Sequence, residues 1–284
     1  MGLLKLLNTT HLNHQSQKPV DFFLSKWYLD YIGENGETMI FYAAELNWFH
    51  RKVYYSSWLS YDLNSGTSLK STFHNVSFPV IMNNSILWSC PKFGISGKWK
   101  PLEKMLQARI FESEEGNVDW ICYQPASEVH LRVMDKDLAG KGYVERLVLT
   151  VPPWKIPCDE LRWGRFASGD ISIVWTEIRG NETWKWVYFK GEQTGEGVIT
   201  DEHISLPDKN LILNLDRAEE LEADKKILSV VRKLIRYIPG IKESVPLNFL
   251  MADTCKWLSK GVLAGINNKS EGMAIHELVN IRAL

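Results

Sequence analysis

Residues 26–46 read KWYLDYIGENGETMIFYAAEL. Lys26–Ile32 and Glu37–Leu46 are rich in the aromatic and branched side chains that suit a pleated, half-buried surface, and Gly33-Glu-Asn-Gly36 between them supplies the positive φ angles of a tight reversal. The stretch is a β-hairpin. The pattern repeats downstream, with candidate strands at Lys52–Tyr61, Leu69–Val76, Ser85–Cys90, Gln107–Glu112, Val118–Tyr123 and Glu128–Met134. A second set spans Tyr143–Val151, Arg162–Ser168, Ile171–Ile178, Thr183–Lys190, Val198–Leu206, Asn210–Leu215, Trp257–Ala264 and Met273–Ile281. Short strands separated by turns such as Asn64-Ser-Gly66, Ser168-Gly-Asp170 and Arg179-Gly-Asn181 predict an all-β chain of meander connectivity. One segment departs from this: Ile227, Val231, Leu234 and Ile238 recur at helical spacing, so a helix is expected over Arg217–Ile238. Asp216 and Glu219 would cap it and Pro239-Gly240 would end it.

At 284 residues the chain is long enough for two domains, expected at 1–135 and 136–284. The motif Trp27-x5-Gly33 recurs as Trp163-x5-Gly169, each copy followed by an apolar β run, which fits a duplicated architecture. The 45% hydrophobic and 24% charged content is that of a globular protein. A formal charge of −1, from 33 basic and 34 acidic side chains, gives no field that would draw nucleic acid or an anionic membrane. No stretch is long enough to span a bilayer, and the N-terminus lacks the features of an export signal, so the cytoplasm is the expected location. Cys90, Cys122, Cys158 and Cys255 are too widely spaced for a zinc site and read as buried thiols.

Three short motifs in this order, Lys26-Trp-Tyr-Leu-Asp30, Gly142-Tyr-Val-Glu145 and Leu161-Arg-Trp-Gly-Arg-Phe166, resemble the lipocalin-like (calycin) family of carotenoid 1,2-hydratase and the AttH-type proteins. More distantly, they resemble tocopherol cyclase and the fungal pericyclases that form decalin rings. The resemblance covers about Lys26 to Ile281 and implies two consecutive lipocalin-like antiparallel β-barrels. The family commonly follows its Gly-Tyr element with Asn-Trp/Phe-Gly, whereas here Arg146–Thr150 intervenes and Trp-Gly arrives only at Trp163-Gly164. The intervening Val151–Pro157 carries three prolines and is expected to form a loop with Trp154 over a cavity rim.

Nucleotide loops, the G-x-S-x-G elbow and H-E-x-x-H are absent; after His276-Glu277 the second zinc ligand is missing. No cofactor and no metal are expected. The candidate catalytic groups are therefore isolated polar residues in aromatic strands. Glu145 and Tyr143 share a strand face. Glu145 is either a buried acid that Tyr143 orients or half of an ion pair with Arg162 or Arg165. Trp163 and Arg165 share a face likewise, Arg165 serving as a polar anchor for substrate or as a stacking partner of an indole. Trp184, Trp186 and Tyr188 form one stripe, Trp175 with Glu177 another, and Tyr28 with Asp30 stands opposite Trp27. Such stripes either fill a barrel or line a ligand cavity. His276 and Glu277 point to opposite faces, so one of them is expected to face inward.

Two functions of different class follow. The first is a cofactor-independent enzyme that hydrates, isomerises or cyclises an apolar terpenoid or polyketide in an aromatic-lined cavity, with Glu145, Tyr143 and Arg165 as catalytic group. Its ligand walls would be Trp27, Tyr28, Trp154, Trp163, Trp175, Glu177, Trp184, Trp186, Tyr188 and His276. The second is a non-catalytic carrier or sensor of a similar ligand.

Overall fold

The computed structural model describes residues 22–266 and 269–281. The first sheet comprises β1 (Phe22–Gly33), β2 (Thr38–Trp48), β3 (Arg51–Asp62), β4 (Gly66–Thr72), β5 (Val80–Met82), β6 (Ser85–Cys90), β7 (Ile95–Pro101), β8 (Leu106–Ser113), β9 (Gly116–Val133) and β10 (Lys136–Leu149). The second comprises β11 (Glu160–Ser168), β12 (Ile171–Arg179), β13 (Thr183–Phe189), β14 (Glu192–Gln193), β15 (Val198–Ile199), β16 (His203–Leu206), β17 (Leu211–Lys226), β18 (Asp253–Ala264) and β19 (Lys269–Asn280). Both sheets are antiparallel, as the turn chemistry predicts, and one is a half-barrel. Among the described residues no helix is long and apolar enough to cross a membrane.

The strand orders are β4-β3-β2-β1-β10-β9-β7-β6-β5 and β14-β13-β12-β11-β19-β18-β17-β16-β15, with β8 pairing beside β9. Four strands meander outward, and the last strand of each sheet then returns beside the first. The two halves thus share one topology. The faces of the repeated tryptophans differ, however: Trp27 packs into the first sheet's own core and Trp163 into the layer between the sheets. Lys136–Leu149, expected to open the second half, is central in the first sheet, paired with β1 and β9.

Alternation along β1 accounts for the layering. Trp27, Leu29 and Tyr31 enter the first sheet's core, and Tyr28 and Ile32 enter the layer shared with Trp163, Val174, Leu258 and Ile275 of the second sheet. A strand buried on both faces carries large side chains on both, which is why no polar face shows in its sequence. Phe166, Ile173, Trp175 and Leu213 build the second sheet's own core.

Several strand readings change. Val198–Leu206 is two paired strands, β15 and β16. Val118–Tyr123 and Glu128–Met134 belong to one strand, β9, which contains Pro125. The proline is tolerated because β9 changes partners there, pairing with β8 up to Cys122 and with β7 from Ser127. The segment Ile95–Pro101 is a strand that its lysines and Gly97 concealed. The helix is also shorter than expected. Arg217–Lys226 continues β17, and only Ile227–Leu234 (α1) is helical, followed by short turns Ile241–Ser244 (α2) and Leu247–Leu250 (α3). Pairing with β18 overrides local helix propensity, and register shifts between Asp216 and Lys225 bring Glu222 opposite Lys256. Val231, Ile238, Ile241, Val245 and Leu250 then lay an apolar face against Phe22, Trp48 and Val53 of the first sheet. Cys90 and Cys122 are buried, as expected, whereas Cys158 and Cys255 are only half-buried.

Between the sheets lies a fully buried ion pair. Arg165 Nη2 and Nε donate to the two carboxylate oxygens of Asp30 at 2.6 and 2.9 Å, and Tyr28 Oη donates to Asp30 at 3.1 Å. The side chains are 1% and 0% exposed. Removing one member leaves the other charged in a dry layer, at a cost of about 3–5 kcal/mol. Asp30→Ala is therefore expected to lower stability by that amount in urea unfolding, and the double change Asp30→Leu with Arg165→Met to recover most of it. A single variant as stable as the wild type would show that water reaches the pair.

Candidate active site

A cavity of about 340 Å³ opens between the first sheet and the α1–α3 segment. Its walls are apolar: Phe22, Leu46, Trp48 and Val53 from the sheet, Trp154 from the proline loop, Val231, Ile241 and Phe249 from the helical segment. Trp154 is held there by edge contact with Phe22 and Phe249, centroids 6.2 and 5.7 Å away. The cavity's other end is polar, lined by Lys26, Tyr42, Glu222, Lys256 and Glu277.

Register explains that end. Lys256 on β18 has Glu222 of β17 and Glu277 of β19 as its cross-strand partners, so carboxylates flank it on both sides. Its Nζ donates to Glu277 Oε2 at 2.7 Å and to Tyr42 Oη at 2.9 Å, and stands 3.9 Å from Glu222 Oε2. Burial alone disfavours the ammonium, but Glu277, Tyr42 and Glu222 outweigh it and hold the Lys256 pKa well above its ordinary value. Tyr42 is kept protonated far into the alkaline range, chiefly by burial. Across from it, Lys26 on β1 lies between Ala44 and Leu147 in register, and the small Ala44 leaves room beside the lysine stem. Lys26 Nζ sits 4.9 Å from the Tyr42 ring centroid. Burial lowers its pKa, opposed by Glu277, Glu145 and Glu222 and reinforced by Lys256.

Glu145 adjoins this cluster through its attraction to Lys26, although neither it nor Tyr143 is among the residues that line the cavity. On β10 Glu145 pairs with Tyr28, two residues along β1 from Lys26 and on the same face. Its Oε2 accepts from Tyr143 Oη at 2.7 Å, Trp120 Nε1 at 2.5 Å and Trp163 Nε1 at 3.2 Å. Burial raises the Glu145 pKa; these three donors and Lys26 oppose the rise. Neither arginine weighed as its partner pairs with it. Arg162 binds Glu160 at 2.8 Å, together with Asp201, and Arg165 is taken by Asp30. The guanidinium of Arg165 thus joins the sheets and does not line the cavity.

The other expected residues scatter according to strand face. Tyr28 packs edge-on against Tyr42, Tyr143 and Trp163, beside the polar end. Trp27 stacks on Tyr123 at 5.0 Å in the first sheet's core. Trp175 fills the second sheet's core, and Glu177 pairs with Arg179 at 2.6 Å. Tyr188 and Trp186 pack in the layer between the sheets, Tyr188 against Trp120 at 5.6 Å, and Trp184 touches Phe111. Of these stripes, filling and not lining is the outcome, because the dry layer between two sheets needs large side chains. His276 stacks on Trp257 and shares a 2.7 Å hydrogen bond with Ser259, while its neighbour Glu277 faces the cavity. The sequence reading missed Lys26, Tyr42, Glu222 and Lys256. A single lysine inside an apolar strand run, as in Thr254-Cys-Lys-Trp-Leu258, was the available signal.

No protein-family model and no curated protein matches the sequence. Solved structures do match in fold. CghA, solved with Sch210972, superposes with a TM-score of 0.55 at 9% identity, covering 92% of this chain and 89% of that one. An AttH protein from Nitrosomonas europaea gives 0.54 at 9% identity over 99% and 100% of the two chains. Kievitone hydratase from Nectria haematococca gives 0.52 at 12% identity over 90% and 88%. The chain shares their fold. The three sequence motifs implied two consecutive lipocalin-like antiparallel barrels, and the chain forms two antiparallel sheets of which one is a half-barrel.

His276 provides a test of the second sheet's core. Burial, followed by the charge of Arg162, lowers its pKa from 6.5 to about 4. The unfolded chain therefore takes up this proton near pH 6.5 and the folded one only near pH 4. The stabilisation is complete above pH 6.5 and is lost as the pH falls toward 4, by about 3 kcal/mol. Urea unfolding of wild type and His276→Gln at pH 7, 5 and 4 is expected to show this slope in the wild type alone. Parallel pH profiles would place His276 in water.

Proposed function

We propose that the chain is an enzyme that works without a cofactor on an apolar small molecule of terpenoid or polyketide type, by hydration, isomerisation or cyclisation. The observation that carries this reading is the cavity itself: apolar walls that end on a compact cluster of Lys26, Tyr42, Lys256, Glu222 and Glu277. Its volume lies in the range of small-molecule sites. An apolar body placed against Phe22, Trp48, Trp154 and Phe249 would present a polar, conjugated end to Tyr42 and Lys26. Reactions of this class need a shaped cavity, a proton donor and a fixed conformer more than they need a prosthetic group. The name of kievitone hydratase, and the Sch210972 bound to CghA, support small-molecule chemistry on this fold.

In this proposal Glu145 is the proton donor. Burial favours its protonated form, and Tyr143 fixes its orientation through the 2.7 Å hydrogen bond. The anchoring first assigned to Arg165 passes to the Tyr42 hydroxyl, which Lys256 holds in place at 2.9 Å. A carrier would use the same walls but would not need an acid.

Two variants separate these uses. Glu145→Gln keeps an oxygen acceptor for Tyr143 and the two indoles, so apolar ligands should still bind while turnover falls about 100-fold. Ala44→Phe fills the space beside Lys26 and should weaken binding of an apolar fluorescent probe by about tenfold or more, with little change in melting temperature. The substrate for the turnover assay comes from mass spectrometry of apolar compounds that co-purify with the protein from its native host. Undiminished turnover in Glu145→Gln would remove the acid from the proposal; unchanged probe binding in Ala44→Phe would remove the cavity.

A further inference from the structure

Lys26 has no role in the proton chemistry above, and its surroundings are unusual for a lysine. Among the described residues its ammonium makes no ion pair and no hydrogen bond, and it stands over the face of Tyr42 at 4.9 Å. Lys256, by contrast, is tied to Glu277 and Tyr42. A second ammonium next to a poorly solvated lysine favours the neutral, nucleophilic amine, and burial together with Lys256 acts in that direction here. The lysine lines the polar end of the cavity beside the small Ala44, so a carbon electrophile held by the apolar walls can reach its nitrogen.

Charge bears on which ligand suits the site. With Lys26 as the neutral amine, the Lys256 ammonium faces two acidic side chains at this end, Glu222 and Glu277. A ligand carboxylate would add to that negative charge. A neutral carbonyl that becomes cationic on reaction would offset it.

We propose that Lys26 is a covalent capture site for apolar aldehydes or ketones, which it binds as a protonated imine. The inference rests on the reading of the cavity as a ligand site and names the functional group that the ligand would carry. The neutral Lys26 nitrogen forms a bond to the carbonyl carbon while the C=O π pair moves to oxygen, which takes the proton of the Glu145 carboxyl. A second proton passes from nitrogen to the hydroxyl, the C–O bond breaks and water leaves. Overall, amine, carboxylic acid and carbonyl give iminium, carboxylate and water with no change of net charge and no other reactant. The iminium withdraws electrons from a conjugated ligand, which activates it toward addition of water, double-bond shift or ring closure, the reactions proposed for this cavity.

The test uses 2-naphthaldehyde with sodium cyanoborohydride on the full chain, with 2-naphthylmethanol as the ligand of the same body that lacks the carbonyl. We expect reduced adduct at Lys26, mapped by peptide mass spectrometry, to form about tenfold or more faster than at the exposed Lys98 or Lys136. The alcohol should protect Lys26, and Lys26→Arg should lose this adduct while melting like the wild type. If that variant fails to fold, protection in the wild type remains the deciding measurement. Binding of the alcohol without a Lys26 adduct from the aldehyde would overturn the imine and leave the cavity reading standing. Failure of both compounds to bind, read by tryptophan fluorescence, would overturn the cavity reading and the imine with it. Labelling no faster at Lys26 than at exposed lysines would also overturn the imine.

Discussion

The two-pronged ion pair of Asp30 and Arg165 is the constraint around which the two sheets are arranged. Both side chains are excluded from water, and their two hydrogen bonds match the planar guanidinium to the carboxylate. Such a pair tolerates little sliding, since displacement breaks charge-assisted bonds where no water can replace them. Asp30 comes from β1 and Arg165 from β11, the first strands of the two sheets, so the pair sets how one sheet lies on the other. Burial pushes the Asp30 pKa up and Arg165 opposes it, the balance that a buried carboxylate reaches when it is fully partnered.

Further polar contacts join the two sheets and inherit that alignment. Trp163 of β11 donates to Glu145 of β10 at 3.2 Å, and Lys256 of β18 donates to Tyr42 of β2 at 2.9 Å. Around them Tyr28, Tyr143, Trp120 and Tyr188 pack as the layer's apolar filling. The polar groups are therefore not embedded in either sheet's own core. They lie where the sheets meet, and the cavity begins where the layer gives way to the helical segment.

The helical segment completes the site for a related reason. Once β17 ends at Lys226, the chain cannot continue along the sheet; it folds back as α1 to α3 over the apolar ends of β1, β2 and β3. The first sheet thereby gains a cover that is itself apolar, and the space left between cover and sheet is the cavity. Shape, charge and access thus come from three separate parts of the chain, and none of them forms the site alone.

The alternation of aromatic and branched residues with turn chemistry was enough to determine the all-β class and most strands, because period and turn type are local properties. So was the pairing of Tyr143 with Glu145, which needs only two positions on one strand. Ile95–Pro101 and the true extent of α1 were not legible, since cross-strand pairing overrode weak local preferences there. Which face of each strand meets a core, a neighbouring sheet or a cavity was likewise settled in three dimensions. Trp27, Trp175 and Glu177 went to packing or ion pairing for this reason, and Arg165 was taken by Asp30, 135 residues away in sequence. Lys26, Tyr42 and Lys256 converge across 214 residues between the last two, a distance over which sequence pattern carries no register. Strand identity is written in neighbouring residues, but partnership between faces exists only once the sheets have packed.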